Sequence, residues 1–227
     1  MNSAKKRKNN RTISGANNLE TKELEIVNDF ESYRYQYNDD YIELLLLSNC
    51  KHIGFDFSDF NFELCIFKDS KFSSCNFENS TFLNCFFIDC DFSNCKFDKT
   101  FFEKISINNS KFSGSSYLSS KLSNIIILES VFNYTTYFES KIEDVDIKDT
   151  SFLESSFDDC KLKNFNVDKV DFSNSEIFKT SLKNIDFRTS IIDNVRFSKD
   201  LYEIKGMIVD TFQAASLARN LGLVVKD

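Results

Sequence analysis

The chain is 227 residues long, 41% hydrophobic and 28% charged, with 35 acidic against 28 basic residues and a formal charge of −7. Average usage of roughly 5% Pro and 7% Gly would give about 11 and 16 in a chain this long, yet there are 0 Pro, 0 Trp and 5 Gly beside 26 Phe. That composition excludes collagen-like and Pro/Gly-rich disordered chains, and the Phe content argues against disorder over most of the length.

Residues 1–21 carry a basic cluster (Lys5, Lys6, Arg7, Lys8, Arg11) with a lone Ile13 where a secretory signal would place an apolar stretch. This segment reads as a disordered, solvated tail, and the chain as cytoplasmic. The longest apolar runs, Leu44 to Leu47 and Ile125 to Leu128, are four residues each, whereas a spanning helix needs about 18 to 20. Residues 22–54 form an N-terminal extension and cap. Tyr33, Tyr35 and Tyr37 alternate weakly, as in an edge strand, and Ile42, Leu47 and His52 stand at five-residue intervals, so the first coil begins near 41. His52, the single histidine, reads as structural.

From Phe57 a large apolar residue recurs every five positions, through Phe62, Phe67 and Phe72 to Phe187, Ile192 and Phe197, in 29 consecutive units. Two residues before each stands a second selected position, which is Ser, Thr or Cys in 20 of 29 units, and all 7 cysteines fall on that register. A period of five fits neither the 3.6 of a helix nor the 2 of a strand, so each unit must turn. The large residue fills the middle and the small one leaves room beside it. Five exceptions at the small position, Ile105, Ile125, Val145, Phe165 and Ile185, are spaced by 20. Four units therefore close one coil, with one side built differently from the other three.

Units such as Cys75-Asn76-Phe77-Glu78-Asn79 and Ser70-Lys71-Phe72-Ser73-Ser74 resemble those of pentapeptide-repeat proteins, with the pattern small-(Asp/Asn)-(Leu/Phe)-x-x over residues 55–199. The resemblance implies an all-β fold, a right-handed quadrilateral β-helix. The 29 units make about seven coils, a rod about 35 Å long at the ~4.8 Å spacing of stacked strands.

Two residues after each central position lie the corners, rich in Asp and Asn, which tolerate turn geometry. One corner stacks Asp69, Asp89, Asn109, Glu129 and Asp149. Charges ~5 to 10 Å apart along the rod are comparable with the phosphate spacing of a nucleic acid. Residues 55–200 hold 24 acidic and 17 basic side chains, while 1–54 balance at 8 and 8 and 201–227 at 3 and 3, so the excess charge lies on the rod. Two readings fit: a surface kept soluble by its charge, or a negative surface offered to a DNA-binding partner. Direct nucleic-acid binding is disfavoured by the net charge. Outward apolar residues (Phe86, Ile88, Ile126 and Leu128; Leu118, Phe138 and Phe178) stack at 20- or 40-residue intervals as a candidate contact patch.

Residues 200–227 break the period. Asp210 with Gln213 forms a capping box, Ala214, Leu217, Ala218 and Leu221 follow helical spacing, Gly222 stops the helix, and Leu223 to Val225 reads as a short strand. Gly206, Asp210, Phe212, Gln213, Ala214, Leu217, Leu221, Gly222, Leu223 and Val225 resemble the terminal module of the quinolone-resistance (Qnr) pentapeptide-repeat proteins. That resemblance implies a cap and homodimer contact through Phe212, Leu217, Leu221 and Leu223. It also implies a DNA mimic that binds a type II topoisomerase, DNA gyrase, and protects it from quinolones or a gyrase toxin, with Asp69, Asp89, Glu129 and Asp149 standing in for phosphates. Many members of that group carry projecting loops and this register has none, as in other gyrase-interacting members. The alternative is a scaffold module docking another protein through its stacked apolar faces.

No GxSxG, HExxH, GxGxxG or P-loop lysine motif is present. Inward cysteines at multiples of five are poor metal ligands, and pairs such as Cys65 with Cys85 and Cys75 with Cys95 are expected as free buried thiols. The sequence thus predicts no catalytic residues, no metal, no cofactor and no membrane partner.

Overall fold

A computed structural model describes residues 24–37, 40–220 and 222–226. The five-residue register winds into a four-sided β-solenoid of about 8 turns. Strands one coil apart pair in parallel with a 20-residue offset, and the five-residue coil runs unbroken from Tyr41–Glu43, which adds a turn to the seven counted from 55. Taking the coil 101–120 as reference, the four faces centre on Phe102, Ile107, Phe112 and Tyr117, and the corners fall at 104, 109, 114 and 119.

The corners explain the Asn and Asp usage. Asp69, Asn79, Asp89, Asn94, Asn109, Asn124 and Asp149 among others have φ between 45° and 59°, the left-handed region that Asn and Asp tolerate better than most residues. A turn every fifth residue keeps strands on most faces to three residues.

On the different side pairing closes up to the corner from both faces, while the corner residues Lys104, Asn124, Asp144 and Asn164 stay left-handed and are skipped by the ladder. Lys121–Leu128, Lys141–Lys148 and Lys161–Asp168, like Phe101–Asn108, run as eight-residue strands through Ile125, Val145, Phe165 and Ile105. Where the same position holds Cys65 or Cys85, the two faces remain separate strands, 61–63 with 66–68 and 81–83 with 86–88. β-branched and aromatic residues favour extended backbone, which brings their own position into the ladder in these coils, whereas Ile185 in the last coil lies in no strand.

The core is a set of ring columns. Phe57, Phe77, Phe97, Tyr117, Tyr137 and Phe157 stack at 4.6–5.2 Å, and Phe72, Phe92, Phe112, Phe132, Phe152 and Phe172 at 4.9–5.4 Å. Beside them the small residues do more than leave room. Ser120 Oγ donates to the carbonyl of Phe97 at 2.6 Å and accepts the amide of Thr100 at 3.3 Å. Ser80, Thr100 and Thr180 make the same bond to the carbonyls of Phe57, Phe77 and Phe157. Each hydroxyl thus adds a bond to a buried central-residue carbonyl; those of Phe57, Phe77 and Phe97 also accept the amides of Phe60, Ser80 and Thr100 at 3.2–3.4 Å.

Both rod ends are covered. At the N-terminus a strand, β1 (Glu25–Val27), adds to 45–47, followed by a helix, α1 (Phe30–Tyr37). The alternation of Tyr33, Tyr35 and Tyr37 therefore lies in a helix, and the edge strand precedes it. Asp29 caps α1, accepting the amides of Glu31 and Ser32 at 3.1 and 3.4 Å, and this cap outweighs a weak period-2 pattern. Phe30 fills the open coil against Phe57, Phe60 and Phe62.

At the C-terminus the ladder runs on for half a coil, with Ile208 bonded to Ile185 and Phe187. A second helix, α2 (Thr211–Asn220), comes next. Asp210 and Gln213 form the reciprocal capping box at 2.8 and 3.0 Å, and Gln213 Nε2 donates to the carbonyls of Phe187 and Ser190. Gly222, at φ 83°, closes α2 with amides of Gly222 and Leu223 on the carbonyls of Arg219 and Ala218. Leu223 to Val225, read as a strand, has no ladder partner among the described residues, because α2 leads it away from the last coil.

Candidate functional site

The acidic column occupies one edge of the rod. Asp69, Asp89, Asn109, Glu129 and Asp149 are all exposed and all left-handed, each donating its backbone amide to the next coil at 3.0–3.2 Å. The backbone of every rung is thus fixed while the carboxylates face water. Asn109 Nδ2 donates to Asp89 Oδ1 at 2.6 Å, and the rungs differ in screening: Lys148 and Lys169 lie 4.0 and 3.9 Å from Asp149. Asp69, Asp89 and Glu129 have no cation within 4.0 Å among the described residues. A shallow groove beside the column is lined by Lys71, Asp91 and Lys111. Burial acts to raise the Asp91 pKa, but hydrogen bonds from Ser93 and Lys71 hold it below the usual carboxylate range.

Carboxylates elsewhere show what a structural role looks like. Lys96 and Lys99 grip Glu78 at 2.5 and 2.8 Å and pull its pKa to about 2. The column residues, Asp149 apart, lack such partners.

The C-terminal module divides. Phe212 is 86% and Leu223 62% exposed, joined by Val224 at 84%, a residue outside the predicted contact set. Leu217 is half-buried against the core, and Leu221 lies outside the described residues. A feature with no sequence signal is Glu203, which is fully buried. Its carboxylate accepts the amide of Lys179 at 2.6 Å, the hydroxyl of Ser198 at 2.6 Å and the amide of Ser198 at 3.3 Å. It ties the C-terminal segment to the last coils.

The outward apolar residues form a second surface. Ile26, Leu46, Ile66 and Phe86 pair coil to coil on one face, and Ile66 is only 4% exposed although it points outward.

His52 sits in an aromatic cage of Phe30, Phe55, Phe57 and Phe72, with Nε2 buried and unpartnered. Burial lowers its pKa, against the pull of Asp29 and Glu31. Its neutral form is therefore preferred on folding. Stability is full above the unfolded pKa of about 6.5 and declines as pH falls below it, because the unfolded chain then binds a proton that the fold resists. His52→Phe should flatten this part of the pH dependence. Melting temperatures from pH 7.5 to 5.0 test it: the variant's advantage grows as the pH falls, and an advantage that is constant with pH contradicts this role of His52.

All 7 cysteines are free and buried, and burial pushes Cys50 and Cys160 to about 11 and Cys90 to about 12. These three stay protonated at neutral pH, whereas a hydrogen bond with Cys95 pulls Cys75 down against the effect of burial. No group of three or more metal-ligating side chains occurs among the described residues, and no helix there is long and apolar enough to cross a membrane.

Coils of four five-residue units around ring columns define the class, a square β-solenoid. The family model described as pentapeptide repeats matches residues 85–116, and the same five-residue register runs on both sides of that stretch. No curated protein matches the sequence. Among solved structures, it is similar to full-length QnrB1, a plasmid-mediated fluoroquinolone resistance protein, at 18% identity over 88% of this chain and 95% of that one, with a TM-score of 0.35. It is also similar to HetL, a pentapeptide-repeat protein involved in heterocyst differentiation regulation from the cyanobacterium Nostoc sp. strain PCC 7120. That match has 10% identity, covers 79% and 92% of the two chains, and has a TM-score of 0.39.

Proposed function

We propose that this protein is a non-enzymatic binding rod whose acidic edge takes the place of DNA in the DNA-binding cleft of a type II topoisomerase, DNA gyrase, and shields the enzyme from quinolones or a gyrase toxin. The observation that carries the reading is the column of exposed carboxylates, Asp69, Asp89, Glu129 and Asp149, held on fixed left-handed corners one or two coils apart. A line of anions at ~5 to 10 Å spacing is what a phosphate-binding cleft recognises. The C-terminal residues that resemble the Qnr module support the same partner. They also support a homodimer through Phe212, Leu223 and their neighbours, which doubles the length of the rod. The partner is a cytoplasmic enzyme, and the mechanism is electrostatic and needs no cofactor.

The test neutralises the column without changing its shape, as Asp69→Asn, Asp89→Asn, Glu129→Gln and Asp149→Asn together. Binding to gyrase in a DNA-competition assay should weaken by at least about tenfold, some 1.4 kcal/mol, with most of the loss from the first three positions. Unchanged binding would remove the phosphate-mimic mechanism.

The part-exposed outward residues Phe86, Ile88, Ile126 and Leu128, two coils apart on one face, favour a second reading, a scaffold that docks another protein through this face. Affinity capture that recovers a different partner, lost on Phe86→Ser, and no topoisomerase would select it.

A further inference from the structure

The edge diagonally opposite the acidic column carries an opposite charge. Lys121, Lys141 and Lys161 pair directly with one another on consecutive coils. Lys163 lies one column over, and Lys179, Lys183, Lys199 and Lys205 extend the patch to the rod's end, all exposed. Like charges directly opposite in a sheet are destabilising. Among the described residues, Lys121, Lys141, Lys161, Lys163 and Lys183 have no carboxylate within 4.0 Å; Lys179 alone of this group reaches one, Asp158 at 4.0 Å. Glu139 and Asp159 at the intervening corner, Asp158 between Phe138 and Phe178 in the next column, and Glu143 beside the ladder are the nearest counter-charges by register.

Aromatic rings border the ladder. Lys121 lies over Phe101 at 5.2 Å, and Phe138 (38% exposed) and the part-exposed Phe178 stand across the corner, two coils apart. A line of cations flanked by exposed rings is the arrangement by which proteins hold single-stranded nucleic acid, phosphates on the lysines and bases on the rings. A duplex hides its bases and uses only the first element.

We propose that this edge, over the last four coils, binds the backbone of a single-stranded nucleic acid, through Lys121, Lys141, Lys161 and Lys183 with stacking on Phe138. The charge of −7 belongs to the molecule as a whole, whereas binding is decided by local distribution. The inference does not depend on the topoisomerase reading, since the two edges face opposite ways.

The test uses the full chain and fluorescence anisotropy of a labelled twenty-residue oligothymidylate at low salt. Because Lys5, Lys6, Arg7, Lys8 and Arg11 are also basic, every variant is compared in the natural chain and in one with those five changed to Gln. Lys141→Gln/Lys161→Gln/Lys183→Gln should weaken binding about tenfold and lower the slope of log affinity against log salt by about 2, at ~0.7 per phosphate contact. Phe138→Ala should weaken it severalfold, and Glu139→Gln/Asp159→Asn should tighten it. An unchanged affinity and slope in the triple variant, or binding that depends only on the five N-terminal residues, overturns the proposal. Equal competition by polyglutamate with Phe138→Ala silent assigns the edge to an acidic protein segment and overturns it too.

Discussion

Phe97→Ala is expected to destabilise the protein by about 3–5 kcal/mol, the range for removing a fully buried ring without full collapse of the cavity. Phe97 lies between Phe77 and Tyr117 at 5.0 and 5.2 Å and touches Phe82, Phe92, Phe102 and Phe112 at 5.5–6.2 Å. Its neighbours cannot move in, because each is fixed by its own column and its own rung of backbone bonds. In a solenoid, stability is a sum of units and nearest-neighbour contacts. The loss should therefore divide the rod, and denaturant unfolding should broaden or split into two steps. A single transition displaced by under about 1 kcal/mol would show that the ring columns contribute less than their packing indicates.

Glu203→Ala is expected to have the second-largest effect, about 3 kcal/mol, because it strands the amides of Lys179 and Ser198 and the Ser198 hydroxyl without a partner at about 1–3 kcal/mol each. The lesion is at the C-terminal end, so its signature differs from that of Phe97→Ala. Segment 200–220 loosens while the central coils keep their protection. If α2 and the residues beyond it carry the dimer contact, the variant should be monomeric in light scattering where the natural chain is a dimer. Hydrogen exchange in 203–220 reads the first effect directly, and unchanged protection there would contradict the role given to Glu203.

Much of the fold is legible in the sequence because its physics is periodic. A five-residue register admits only a turning coil, and the 20-residue spacing of Ile105, Ile125 and Val145 gives four sides. What those residues accomplish, the addition of their own position to the ladder beside the corner, emerges only when the coil is built. The small position reads in the sequence as room for a neighbour, whereas its hydroxyl also donates to a carbonyl 23 residues earlier, a pairing that no local pattern announces. Non-periodic parts are less legible. Tyr33, Tyr35 and Tyr37 suggest a strand because three residues carry little periodic information, and the Asp29 cap decides for a helix. Leu223 to Val225 has the composition of a strand but lies beyond the last free edge.

The candidate site shows the same division. The acidic column is visible in the sequence as a stack of corner residues, but its unevenness is not: Lys148 and Lys169 screen Asp149, and Asn109 binds Asp89. These are contacts between columns, and the sequence orders residues only along them. Glu203 gives no signal at all, since a lone Glu outside the repeat looks like any surface charge until its partners surround it.

The central claim is that the acidic edge replaces DNA on a topoisomerase. The measurement that tests it most directly is a gyrase supercoiling and cleavage assay with ciprofloxacin, titrating the purified protein. Rescue of supercoiling, or inhibition that DNA relieves by competition, is expected, with either effect lost in the variant lacking the four carboxylates. No effect at a large molar excess would contradict the claim.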